Sequence, residues 1–283
     1  HGMMAGVLRR AVRVAPLRGL RGLRGSLVSF PTPWPPVAPA FSRYLAGSSR
    51  ADPTGQPDEA GDNECGDALF ERGIARLDEG ALPAAVQLFA QAAASGHAEG
   101  HFYLGLAYDG LLGEDARGEL PVAKDAAAAA RCYLRASEQG LPEAMLNLSL
   151  CYRLGEGLTR DTAAGFAWAE RGAKAGCERA QFNLGVALDP EHPPWGTPGE
   201  TGPNAMVAKD PVRAVEFYRS AAAQGHAKAK VNLGIMVYAG VGCPEDKPAA
   251  IALWREAQEE GVPQAEVCLR NAEAGLDELP TPS

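Results

Sequence analysis

Glycine closes five Ala-rich segments of this 283-residue chain at related intervals, and this regularity limits the possible folds more than any other feature. The closing residues are Gly96, Gly140, Gly176, Gly225 and Gly261, spaced by 44, 36, 49 and 36 residues. A Leu follows each of them by eight residues, and an Asp precedes each of the last four by fifteen. Residue types that recur in one phase indicate an internal repeat. The repeat has 36 residues here, with extra residues inserted in the second and fourth copies.

Each repeat carries the signals of two helices. The Asp residues suit a helix N-cap, because a carboxylate accepts hydrogen bonds from free backbone N–H groups. The Gly about fifteen residues later suits the left-handed residue that ends a helix. We predict first helices near 98–109, 143–154, 178–188, 227–238 and 263–274. We predict second helices near 84–95, 125–139, 161–175, 210–224 and 246–260, and an opening helix near 67–79.

Aromatic residues stand seven or eight positions before the closing glycines, where we expect them to fill the space between the two helices of a repeat. They are Phe89, Tyr133, Trp168, Phe217, Tyr218 and Trp254. A single repeat cannot bury its apolar face alone, so the repeats must stack on one another. The sequence therefore predicts an all-α fold, a right-handed α-solenoid of about five helix-turn-helix repeats over residues 66–275.

Two segments carry a specific resemblance to a known family. They read AMLNLSLCYRLGEGLTRDTAAGFAWAERGAKAG and AKVNLGIMVYAGVGCPEDKPAAIALWREAQEEG. Both resemble Sel1-like repeats, which are relatives of the tetratricopeptide repeat. The chain departs from the family pattern at Ser149, which replaces a Gly, and at Leu188, which replaces a Tyr. The resemblance implies a non-catalytic protein that holds partner proteins and acts in assembly, signalling or quality control.

The first 50 residues differ from the rest in charge. They contain eight Arg and no Asp, Glu or Lys, which leaves 19 basic and 35 acidic residues in the remainder. An Arg-rich segment without acids is typical of an organellar presequence. We predict mitochondrial targeting, with a plastid as the alternative destination and a disordered basic tail without a targeting role as the other reading. Residues 51–65 are predicted to be a flexible linker and residues 276–283 a tail.

A set of polar residues recurs in phase on the first helices. Asn147, Asn183 and Asn232 each precede the Leu of the register, and Tyr103 holds the same position in an earlier repeat. The resemblance implies that first helices line the concave face, where an Asn amide can bond the backbone of an extended peptide. We predict a partner site there, to which Lys228 and Lys230 add. The alternative is that these Asn residues bond between helices.

Two insertions interrupt the repeats, near 113–124 and 189–209. The second contains five Pro and Trp195. A loop of this length is often functional, and an exposed Trp would suit a contact with a partner. The alternative is that Trp195 folds back on the helices.

No catalytic, cofactor-binding or metal-binding motif is predicted. His97 and His101 have the spacing of a metal pair on one helix face, but His226 recurs at the position of His97, which indicates repeat chemistry. The six Cys form no CxxC pair, and Cys243-Pro244 is only a two-residue match to haem-ligating pairs. A haem protein, a metal protein or a hydrolase is therefore the alternative from another class.

Charge and hydropathy limit the class of partner. The body outside the leader carries a net charge of −16, which favours protein or peptide partners with basic surfaces and disfavours nucleic acid. No apolar run reaches the roughly 18 residues that a membrane-spanning helix requires. The sequence thus predicts a scaffold in the assembly of an organellar complex or an accessory subunit of one. A stress or import adaptor is the alternative among binding proteins.

Overall fold

A computed structural model describes residues 65–114 and 118–274, and eleven α-helices make up most of this part of the chain. We number them α1 (Gly66–Asp78), α2 (Leu82–Ala94), α3 (Ala98–Tyr108), α4 (Ala126–Glu138), α5 (Pro142–Leu154), α6 (Thr162–Lys174), α7 (Glu178–Leu188), α8 (Pro211–Ala223), α9 (Ala227–Ala239), α10 (Lys247–Glu259) and α11 (Pro263–Glu273). The predicted presequence, all but the last residue of the predicted linker and the predicted tail lie outside the described residues.

The helix boundaries agree with the sequence prediction to within two residues. All four predicted Asp caps are confirmed, since each carboxylate accepts a hydrogen bond from the backbone N–H three residues later. The distances are 2.9 Å for Asp125, 2.8 Å for Asp161, 3.1 Å for Asp210 and 3.0 Å for Asp246. The five closing glycines have φ between 80° and 96°, the left-handed conformation that favours Gly.

The chain forms two compact units that divide between Cys132 and Tyr133, within α4. In the first unit, α1, α2 and α3 pack in order around an aromatic cluster. Phe89, which is fully buried, contacts Tyr103 at a centroid distance of 4.9 Å and Phe70 at 5.8 Å. Gly73 of α1 lies against the ring of Phe89, and a Cβ there would come within 2.6 Å of it.

In the second unit, each of the helices α5 to α11 packs against the next one along the chain. Tyr218 of α8 and Trp254 of α10 are fully buried, and each lies against a glycine of the helix before it, Gly185 and Gly234 respectively. A small residue on one helix thus makes room for a large ring on the next. This is the packing that keeps successive helices close.

The structure corrects one detail of the aromatic prediction. Phe89, Tyr133, Tyr218 and Trp254 are fully buried, but Trp168 and Phe217 are half-buried, and Trp168 stacks on Arg171 at 4.0 Å. Trp168 stands eight residues before its glycine, so it lies on a different side of α6 from the position seven residues before, which buried Ala169 occupies. Ser149 replaces the usual Gly in this repeat, where no ring has to be accommodated.

The second insertion, between α7 and α8, is held to the helices at several points. Its ends are tied by the Asp210 N–H, which donates to Leu188 O at 2.9 Å. Within it, a short 3-10 turn (Gly202–Asn204) lies against α6, and the Val207 N–H donates to Trp195 O at 2.8 Å. The insertion is therefore a folded part of the second unit.

Candidate functional site

Asn147 and Asn183 are the two of the three predicted partner-site Asn residues that the structure leaves available. They stand at the same repeat position on α5 and α7, and both are half-buried. No hydrogen bond of either side-chain amide is found among residues 65–114 and 118–274. Each amide thus retains a donor and an acceptor for another chain.

Asn232 differs from these two residues, although it occupies the same position on α9. It is fully buried, and its Nδ2 donates to the hydroxyl of Tyr218 at 3.2 Å. The prediction that Asn232 lines an open face is therefore wrong, and the alternative of a bond between helices is correct for this residue. The reason is the ring of Tyr218, which brings a hydroxyl to a repeat position that carries Ala169 in the preceding pair.

Two further predicted contact residues, Tyr103 and Lys230, already have partners within the fold. Tyr103 is only 2% exposed and belongs to the aromatic cluster of the first unit. Lys230 Nζ lies 2.8 Å from carboxylate oxygens of both Glu256 and Glu260, and these bonds raise its pKa. Lys228 is exposed and remains available to a partner. Sequence position alone could not separate the two lysines, because Glu256 lies on α10 and Glu260 is the residue that ends that helix.

Trp195 is buried, which corrects the prediction of an exposed contact residue. Its side chain is 8% exposed and belongs to the core formed with Leu146 and Leu184. The ring of Phe166 lies edge-on to it at 6.1 Å, and the guanidinium carbon of Arg153 lies 5.1 Å from its centroid. The alternative, in which this residue folds back on the helices, describes the structure.

A buried polar chain joins the second insertion to the helices, and sequence reasoning missed it. Asp189 is 1% exposed and accepts hydrogen bonds from the Tyr218 hydroxyl at 3.1 Å and from the Glu191 N–H at 3.0 Å. His192 Nδ1 lies 3.1 Å from the same carboxylate, an ion-pair distance without good hydrogen-bond geometry. The available signal was an Asp directly after the last residue of α7, where the insertion begins.

This environment determines the charge of Asp189. Burial acts to raise the pKa of its carboxyl, but His192, the Glu191 N–H and Tyr218 together outweigh burial and hold the pKa below its usual value. Burial and the nearby carboxylate raise the pKa of Tyr218, so its hydroxyl remains a donor. A carboxylate beside an imidazole also orients hydrolase triads. Here both imidazole nitrogens of His192 are enclosed by the fold.

The two repeat histidines act as helix caps. His97 Nδ1 accepts from the Gly100 N–H at 3.1 Å, and His226 Nδ1 accepts from the Ala229 N–H at 3.2 Å. Burial, more than any other cause, lowers the pKa of His226 to about 4, so it caps α9 as a neutral imidazole. Across the described ranges, no group of three or more His, Cys, Asp or Glu side chains could hold a metal ion.

Three cysteines are poorly suited to react as thiolates. Burial raises the pKa of Cys132 to about 12 and that of Cys177 and Cys268 to about 11, which keeps these thiols protonated at neutral pH. None of the helices in the described part of the chain is both long enough and apolar enough to cross a bilayer.

Five segments of the chain match the family model of the Sel1 repeat. They are residues 68–97, 98–141, 142–177, 199–226 and 227–262, and together they cover more than half of the chain. Helix α7 lies between the third and fourth matches, where the second insertion separates it from α8. Among curated proteins, the comparison gave no match.

Two solved structures share this architecture. One is a protective antigen present in uropathogenic Escherichia coli strains, described as displaying an SLR fold, with a TM-score of 0.61 and 23% identity over 74% of this chain and 42% of that one. The other is a Sel1 repeat protein from Oxalobacter formigenes, with a TM-score of 0.60 and 29% identity over 75% of this chain and 56% of that one. This chain therefore spans about half the length of these two proteins. The helix pairs, the repeat signature and the five matches show that this chain belongs to the Sel1 repeat family.

Proposed function

We propose that this protein is a non-catalytic protein-binding scaffold in mitochondria, where it acts in the assembly of a multiprotein complex or as an accessory subunit of one. Sel1 repeat proteins are generally protein-interaction scaffolds. A mitochondrial stress or import adaptor uses the same kind of binding surface and is the second form of the proposal. A scaffold or accessory subunit would form a stable complex with its partner proteins, whereas an adaptor would form a transient one.

The observation that carries the proposal is the repeat-phased pair Asn147 and Asn183. Both amides are half-buried on first helices of consecutive repeats and keep their bonding capacity. An extended peptide presents backbone N–H and C=O groups at regular spacing, and one Asn amide can bond both kinds of group. Lys228 and the half-buried Arg179 stand near the start of the following first helices. The proposed site is therefore smaller than the sequence predicted.

The net charge of the body supports a preference for partners with basic surfaces. Outside the leader, acidic residues outnumber basic ones by 16. A surface of one sign speeds the encounter with partners of the opposite sign and discourages like-charged ones. The expected consequence is partner binding that weakens as salt is raised.

Paired Asn variants test the proposed face. We expect the double variant Asn147→Ala, Asn183→Ala in the full-length chain to recover about tenfold less of its partner proteins from cells, because two amide contacts are lost. Its free energy of unfolding should stay within about 0.5 kcal/mol of the native value. Asn232→Ala is the matched control, because it removes the same group from a buried position and should cost about 1–3 kcal/mol of stability. Undiminished recovery by the double variant would refute the proposed face.

A fusion experiment tests the location. Residues 1–50 joined to a fluorescent protein should direct it into mitochondria, and replacing the eight Arg with Gln should leave it in the cytosol, because the positive charge would be lost. Plastid labelling would move the proposal to that organelle. Diffuse fluorescence from the native leader would remove the organellar part of the proposal and leave the binding face to be tested by the Asn variants.

A further inference from the structure

Arg153, in the last turn of α5, is a partly buried cation without an anion. Its Nε is enclosed and has no hydrogen-bond partner, and none of the carboxylates in the described ranges lies within 4.0 Å of its guanidinium. Burial lowers the pKa of this guanidinium, Arg160 lowers it further, and Glu156 acts in the opposite direction. The side chain stacks on Trp195 at 5.1 Å instead of reaching a carboxylate.

Several other cations of the second unit have polar partners. Arg213 pairs with Glu170, and Lys230 pairs with Glu256 and Glu260. Lys209 Nζ donates to the carbonyl oxygens of Ala187 at 3.1 Å and Pro193 at 3.4 Å. Withdrawing a charge from water without a partner is costly. Among the Lys and Arg residues of the described ranges, Arg153 therefore stands out because its side chain has an enclosed nitrogen without a hydrogen-bond partner.

A second guanidinium is brought to the same place by the turn after α5. The left-handed Gly155, with φ of 75°, ends the helix and folds the chain back, so that Arg160 Nε donates to Arg153 O at 3.3 Å. A Cβ on Gly155 would lie 3.2 Å from the Cβ of Arg160, which shows how closely the chain after the turn approaches the end of α5. Arg160 is exposed, so one cation of the pair faces water and the other lies on the Trp195 ring.

Two exposed apolar side chains belong to the segments that supply Arg153 and that bond to Trp195. Leu154, adjacent to Arg153, is 39% exposed, and Met206 is 48% exposed. Met206 precedes Val207, whose N–H donates to Trp195 O. These are two of the four large hydrophobic side chains that the described residues leave exposed. We call Arg153, Arg160, Trp195, Leu154 and Met206 the Arg153 site.

We propose that the Arg153 site binds an acidic segment of a partner protein, with an Asp or Glu carboxylate on the two guanidinium groups and an apolar side chain on Leu154 and Met206. A guanidinium stacked on a ring presents a planar fork of N–H donors, which matches a carboxylate. A free phosphate satisfies the same donors but makes no use of the exposed apolar side chains. The second insertion supplies Trp195 and Met206, so this surface belongs to the inserted copy of the repeat. It prefers partners of the opposite charge to those proposed for the Asn face.

Two peptide pools provide the test. The first is a pool of random octapeptides made from Glu, Asp, Leu and Met, and the second replaces Glu and Asp with Gln and Asn. On the immobilised full-length chain, we expect the acidic pool to be retained about tenfold more than the amide pool. We expect that excess to disappear in the double variant Arg153→Gln, Arg160→Gln. Circular dichroism of each variant reports whether the fold is intact.

Matched variants keep the result interpretable. Arg171 stacks on Trp168 at 4.0 Å and is exposed, so Arg171→Gln removes an Arg from a Trp ring elsewhere and should leave retention unchanged. Arg160→Gln alone alters only an exposed side chain and should reduce retention severalfold, even if replacing Arg153 disturbs folding. Equal retention of both pools, or an acidic excess that survives Arg160→Gln and the double variant, would overturn the proposal. Tight binding of inorganic phosphate without retention of the acidic pool would also overturn it, in favour of a phosphate site.

Discussion

Replacing Tyr218 with Phe would remove one hydroxyl from the buried chain that joins α9, α8 and the second insertion. In the native protein, this hydroxyl accepts from Asn232 Nδ2 at 3.2 Å and donates to Asp189 Oδ2 at 3.1 Å. The ring itself stays, so its contact with Gly185 and its place in the core are preserved. The substitution therefore isolates the two hydrogen bonds.

The expected loss follows from the partners of the hydroxyl. A hydrogen bond to an ionised, buried carboxylate contributes about 1.5–3 kcal/mol, and one between neutral groups contributes about 0.5–1.5 kcal/mol. The free energy of unfolding should therefore fall by about 2–4 kcal/mol at pH 7. Asp189 keeps the Glu191 N–H and the nearby His192, so the carboxylate does not become isolated.

The loss should also depend on pH in a defined direction. The pKa of Asp189 in the folded state lies below its usual value, so its ionised form stabilises the fold above about pH 4, the pKa of an unfolded Asp. This stabilisation disappears as pH falls through the folded-state pKa. Removing the Tyr218 donor raises that pKa. The difference between the native protein and the variant should therefore be largest at neutral pH and shrink below about pH 4.

Urea denaturation followed by circular dichroism, repeated between pH 7 and pH 3, measures this difference. Tyr152→Phe is the matched control, because Tyr152 lies in the same unit and none of the described residues bonds its hydroxyl. It should change stability by less than about 0.5 kcal/mol. A Tyr218→Phe deficit below 1 kcal/mol, or one that stays constant across this pH range, would contradict the assignment of Asp189 as the ionised partner.

Three further expectations concern packing, capping and the thiols. Gly185→Ala would place a Cβ 2.5 Å from the Tyr218 ring and should lower the free energy of unfolding, measured by urea denaturation, by about 1–3 kcal/mol. An unchanged free energy of unfolding would show that α7 and α8 separate easily. Asp246→Ala should cost about 1 kcal/mol in the same assay because the Ala249 N–H loses its hydrogen-bond acceptor, whereas Asp246→Asn should retain most of the stability. Equal losses in the two variants would assign the effect to the charge of Asp246 instead of its hydrogen bond. Alkylation at pH 8 should modify exposed Cys65 well before buried Cys177, because burial raises the pKa of Cys177 to about 11, and peptide mass spectrometry measures the order. The reverse order would contradict the burial of Cys177.

Much of the fold could be predicted because its determinants are local and repeat. An Asp that caps a helix bonds an N–H three residues away, and a closing Gly adopts its left-handed conformation within the same turn. Both act over a few residues, so a single sequence displays them. The second insertion appears in the sequence as a break in the phase, and in the structure it lies between Leu188, the end of α7, and Pro211, the start of α8. Its folded state was not predicted, because Trp195 packs on residues of other helices such as Phe166.

The candidate site was predicted less well, because equivalent repeat positions do not have equivalent neighbours. Asn147, Asn183 and Asn232 share one register, yet only Asn232 meets the hydroxyl of Tyr218, which removes it from the surface. Lys228 and Lys230 are two residues apart, yet Glu256 and Glu260 engage only Lys230. The sequence by itself determined the helices, their caps and the family, since these depend on short-range bonding and periodicity. The tertiary structure alone decided which polar groups are paired or unpaired, because that depends on the side chains of the next helix and of the insertion.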